Sequence, residues 1–123
     1  MKIFLLSLSI LTILITFSSC VQKTYDRKVR FLIDVSQMAP IKSCGLRGSN
    51  SPLSWDQDLE MKPLIKDSLY SVDVTFNTGY LGCEVKFVVN GQFEFQNKDN
   101  RRIPFDVNKD TTIYNAVFDK INP

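Results

Sequence analysis

Acid, base or nucleophilic catalysis needs side chains that this sequence supplies sparingly. Histidine, the commonest general base, is absent. No serine sits in a Gly-x-Ser-x-Gly elbow. Asp56, Asp58 and Glu60 place three carboxyls close together. Glycoside hydrolysis, however, sets two carboxyls at a defined separation across a cleft, and residues crowded into one loop of a small domain serve turn and capping duties instead. Gly45-Leu46-Arg47-Gly48 has no following helix to make a phosphate cradle. Without histidine, Cys44 and Cys83 cannot close a zinc site. The sequence therefore points away from an enzyme, a metal site and any other cofactor.

What remains is recognition chemistry. Trp55 is the only tryptophan and lies in a Pro- and Ser-rich loop rather than in an alternating strand. Two readings of it stand. It plugs a satellite of the core, or its flat indole offers a π face to the apolar side of a sugar ring while neighbouring polar groups bond the hydroxyls. Phe93 and Phe95 share a parity, so one face of their strand is expected to be aromatic, with one ring in the core and the other, near the strand end, exposed.

The elements that position these residues read as strands. Cys83, Val85, Phe87 and Val89 alternate with Glu84 and Lys86, the period of a half-buried strand. Asn90-Gly91 follows, a strong type I′ hairpin signal because both residue types accept positive φ. Alternation resumes in Gln92 to Gln96, and a polar run, Asn97 to Asn100, ends it. Arg101-Arg102 with Lys98 is expected to be a solvated basic loop. Further strands are expected at 29–35, at 41–47, as one short strand within 53–64, at 70–76, at 103–107 with Pro104 marking an edge, and at 112–118. No segment carries a convincing amphipathic helix. About seven short strands separated by turn residues imply an all-β antiparallel sandwich.

The first residues have a different character. Met1-Lys2, an apolar run to Phe17 and Ser18-Ser19-Cys20 describe a secretory signal of the bacterial lipoprotein kind, occupying residues 1–19. Cys20 would then carry the lipid, residues 20–27 would form a polar tether, and 28–123 a single domain. The expected location is the bacterial cell envelope, on the periplasmic or cell-surface side of a membrane. In that oxidising compartment Cys44 and Cys83 are candidates for a disulfide, and buried free thiols are the competing view. Fifteen Lys and Arg against thirteen Asp and Glu give a formal charge of +2. That balance argues against nucleic-acid binding, which needs a clustered basic excess.

Several stretches resemble a known family. Gly48-Ser49-Asn50-Ser51-Pro52-Leu53-Ser54-Trp55-Asp56 is similar to the Gly-Ser…Leu-Gly-Asn-Trp-Asp loop of starch-binding domains, carbohydrate-binding module family twenty. Met61-Lys62-Pro63-Leu64 resembles the segment that follows. Glu84-Val85-Lys86-Phe87-Val88-Val89 resembles the family's Glu-Tyr-Lys-Phe-Val-Val strand, and Phe95 to Arg101 keeps the spacing of its Trp-Glu-x-x-x-Asn-Arg. The Asn90-Gly91-Gln92-Phe93 hairpin is also similar to that of related glycogen-binding modules. The resemblance implies an immunoglobulin-like β-sandwich that binds α-glucan, with Trp55 stacking on glucose, Phe95 as second platform, and Lys86 and Asn100 bonding hydroxyls. Phe95 stands in place of the family's tryptophan and Val85 in place of its tyrosine. A protein-interaction module of the same fold, serving an envelope assembly, is the alternative.

Overall fold

The computed structural model describes residues 22–121, so Cys20 and the expected signal lie outside the described residues. The chain forms an all-β sandwich of two sheets. Nine strands follow in order: β1 (Tyr25–Asp34), β2 (Cys44–Gly48), β3 (Leu59–Glu60), β4 (Lys62–Ile65), β5 (Leu69–Thr78), β6 (Gly82–Val89), β7 (Gln92–Phe93), β8 (Arg101–Pro104) and β9 (Thr111–Val117). One sheet runs β4-β5-β1-β9. The other runs β3-β2-β6, with β7 and β8 sharing the remaining edge of β6.

The count is higher than expected in part because the 53–64 stretch holds two short strands where one was expected. Leu59-Glu60 pairs with β2 in one sheet, and Lys62–Ile65 pairs with β5 in the other. Met61, buried between them, makes the crossing, its amide donating to the Cys44 carbonyl at 2.9 Å. Pairing is antiparallel except between β1 and β9, which run parallel. β1 also starts earlier than its apolar alternation suggests. Tyr25, Asp26 and Arg27 pair with Thr78, Asn77 and Phe76, so the expected tether residues 25–27 belong to the sheet.

The core follows from the period-two pattern. Val29, Phe31 and Ile33 of β1 face Val85, Phe87 and Val89 of β6 across the sandwich, all fully buried. Phe31 is the hub, with edge-to-face contacts to Phe76, Phe87 and Tyr114 at ring centroid separations of 6.5, 6.3 and 6.3 Å. The Asn90-Gly91 turn takes the expected conformation, with φ of 52° and 78°. Asn90 has a second duty. Its side-chain oxygen accepts from the amides of Lys42 and Ser43, which fastens the β1–β2 connection to the hairpin.

The two cysteines are free and buried, against the expected bridge. Cys44 sits opposite Val89 and Cys83 opposite Ile103, so their places along β6 are six residues apart. At ~3.3 Å per residue that is about 20 Å, far beyond disulfide reach. Burial pushes both thiols up to about 12.

Candidate functional site

The outer face of the β2-β6 sheet carries an open cleft of about 400 Å³ lined by Trp55, Lys86, Phe93, Gln96, Asn97 and Asn100. Three of the four expected sugar-contacting residues, Trp55, Lys86 and Asn100, come together there. Lys86 reaches it because alternation on β6 turns it outward between the buried Val85 and Phe87. Trp55 arrives on the loop between β2 and β3 and stays half-exposed. Leu53, buried beneath, anchors that loop, as does the bond from the Ser49 amide to the Glu84 carbonyl at 3.1 Å.

Phe95, the expected second platform, is placed elsewhere. Its ring is buried, 7% exposed, and the aromatic partner of Trp55 in the cleft is Phe93. The reason is local. β7 ends at Phe93, and the chain then takes positive φ at Phe95 (49°) and Asn97 (61°). Strand alternation is lost, so the two phenyl rings no longer share a face. The Phe95 amide instead donates to Asp119 at 2.7 Å.

Behind the cleft lies an ion pair that sequence patterning did not anticipate. Arg101, expected in a solvated loop, is buried against Glu94, with two bonds of 2.8 Å and side chains 3% and 0% exposed. Its guanidinium stacks on Phe95 and Phe87 at 4.7 and 5.5 Å from their ring centroids. It also donates to the Val117 and Lys120 carbonyls, each at 2.9 Å. Burial works against the Arg101 charge, yet the Glu94 carboxylate holds its pKa raised. Glu94 has a structural reason to be there. β7 pairs with Val88 and Val89, and β8 pairs with residues up to Val85, which leaves a gap in the ladder at Lys86 and Phe87. Glu94 closes it: its carboxylate accepts from the Phe87 amide, and its own amide donates to the Phe87 carbonyl, both at 3.0 Å.

Polar groups in the cleft are held in place and still have bonding capacity. The Lys86 ammonium donates to the Phe95 and Lys98 carbonyls at 3.1 and 2.9 Å, pinning the β7–β8 loop, and one of its three donors remains. The Asn100 amide donates to Glu84 at 3.3 Å and keeps its carbonyl oxygen. Arg47 is the residue that sequence reasoning missed. It lies opposite Lys86 in the β2–β6 register, donates to the Trp55 carbonyl at 2.9 Å and pairs with Asp58. Its guanidinium also lies 5.0 Å from the centroid of the Phe93 ring. One arginine thus positions both aromatic walls. Its outward parity on β2 was visible in the sequence, but its partners were not.

Among the described residues no group of three or more His, Cys, Asp or Glu side chains is placed to hold a metal ion. Within the Asp56–Asp58–Glu60 cluster, Asp58 is engaged by Arg47. No protein-family model matches the chain, and no curated protein matches it. The chemistry of the cleft itself therefore carries the functional conclusion.

Proposed function

We propose that this chain is a non-catalytic carbohydrate-binding module that takes α-glucan at the outer face of its β2-β6 sheet. The carrying observation is the cleft: a half-exposed indole and a phenyl ring beside an ammonium and three side-chain amides. Aromatic rings match the apolar face of a pyranose, and amide and ammonium groups match its hydroxyls. At about 400 Å³ the cleft falls at the low end of the range for small-molecule sites, and it is open, so affinity is expected to be weak.

Cys20 follows a short apolar run with small residues before it, which supports a lipid anchor on the envelope side of a bacterial membrane. An acyl-modified Cys20 in the intact mass of the membrane-extracted chain would establish that anchor, and an unmodified thiol would remove it.

Electrophoresis through gels containing amylopectin tests the sugar reading. The wild-type chain is expected to be retarded. Trp55→Ala is expected to run as in a sugar-free gel while keeping its circular dichroism and its melting temperature within a few degrees. A folded wild type that is not retarded would shift the case to the alternative, a protein-interaction module. The feature favouring that alternative is edge strand β4, where Leu64 and Ile65 stand exposed.

A further inference from the structure

A second and larger concavity, about 750 Å³, opens on the same side of the molecule. Ser49 and Asn50 line it from the start of the Trp55 loop, Tyr80 and Leu81 from the β5–β6 turn, and Glu84 and Arg102 from the facing strands. It adjoins the Trp55 cleft. Glu84 and Lys86 are successive outward residues of β6, about 7 Å apart. Asn100 of the cleft donates its amide to Glu84 of the larger cavity, which joins the two linings.

The lining of this cavity, like that of the cleft, sets apolar walls beside groups that bond hydroxyls, though the groups themselves differ. Tyr80 is 73% exposed and Leu81 70% among the described residues, an aromatic and an aliphatic wall turned to solvent. Glu84 and Arg102 sit side by side at 3.2 Å, a carboxylate to accept from hydroxyls and a guanidinium to donate to them. Their charges offset each other, which disfavours a phosphate or another anion and suits a neutral, hydroxyl-rich ligand. Asn50 adds an amide that donates and accepts.

We infer that the two concavities form one groove and that the module takes an extended run of an α-glucan chain, with Trp55 and Phe93 gripping one stretch and Tyr80 the next. The inference rests on the proposed glycan binding and deepens it. The ligand is a chain of several glucose units, and Tyr80, Glu84 and Arg102 set the preference for length. Gly82 shapes the base of this part of the groove. A Cβ there would lie 2.7 Å from the Ile103 carbonyl oxygen, so only glycine lets β6 and β8 approach this closely at the groove floor.

Isothermal titration calorimetry of the full chain in detergent, with maltose and maltoheptaose as probes, tests this. Wild type is expected to bind maltoheptaose about tenfold tighter than maltose after correction for the number of binding frames. The readout is the ratio of the two affinities. Tyr80→Ala is expected to shrink it about fivefold, the scale of one lost stacking contact. Arg102→Gln, at an exposed side chain, should shrink it by about twofold to threefold. A wild-type ratio near one overturns the groove, as does an undiminished ratio in both variants. A Tyr80→Ala protein that loses both sugars equally, together with thermal stability, overturns it too, because Tyr80 would then act through the fold. If wild type binds neither sugar, the glycan reading itself falls and the groove falls with it.

Discussion

Residues 92–101 turn two faces in opposite directions, and the two are built on different principles. Outward lie Phe93, Gln96, Asn97 and Asn100, in an open cleft with bonding capacity to spare. Inward lie Glu94, Phe95 and Arg101, sealed from water with their polar atoms taken up by one another and by the C-terminal segment. The inner face resembles a folding core made partly of charge, and the outer one a prefabricated ligand surface. Ten residues serve both because the Phe95 and Asn97 backbones take positive φ, which ends the strand and lets neighbours diverge. One segment can thus rigidify a site and furnish it at once, provided regular alternation is given up.

The sharpest way to break this contrast is to remove one partner of the buried pair. Arg101→Ala leaves the Glu94 carboxylate without its cation and frees the Val117 and Lys120 carbonyls. It should cost about 3–5 kcal/mol, enough to leave much of the chain unfolded in a urea titration at 25 °C. Stability within 1 kcal/mol of wild type would contradict the buried network. Next in size, Phe95→Ala should destabilise by about 3 kcal/mol through the cavity it opens. Phe93→Ala should change stability by less than about 1 kcal/mol and remove most of the retardation in amylopectin gels. Equal stability losses for the two phenylalanines would erase the inner–outer distinction.

The remaining predictions concern pH. Burial raises the folded values of Cys44 and Cys83 to about 12, well above the ordinary thiol range, so the unfolded chain releases these protons first. Their contribution is whole below about pH 9 and is lost as pH climbs toward 12. The native protein should accordingly resist thiol reagents at pH 8 and lose stability steadily above pH 9, and Cys83→Ala should flatten that decline. At the acid end, hydrogen bonds from the Ser36 amide and hydroxyl hold Asp34 below its usual 3.8, and Arg30 does the same for Asp73. Their contribution is full above that value and disappears as pH falls through the lowered ones. The drop should be slight, since Asp73 and Arg30 are exposed.

Legibility in the sequence followed the same division. β6 was readable residue by residue, because burial of one face imposes period two and Asn-Gly names its turn. Trp55, Lys86 and Asn100 were found for related reasons: a loop indole, an outward lysine and the family-like spacing. Phe95 was misassigned because a positive φ at a phenylalanine leaves no mark in composition. Arg101 was misassigned because a buried ion pair is defined by a partner across space, and the adjoining Arg102 suggested solvent. The expected disulfide failed on register, since nothing in Cys44 or Cys83 discloses that β2 meets β6 at the far end.

The one parallel pairing among the described residues, β1 alongside β9, gives the domain a polarity. The strand that begins at Tyr25 and the one that finishes at Val117 point the same way, so the described chain enters at one pole and leaves near the other, ~30 Å on at strand rise. A fluorophore at the exit and one at the entrance would sit a protein's length apart. Anything fused after residue 121 would stand clear of whatever holds the front.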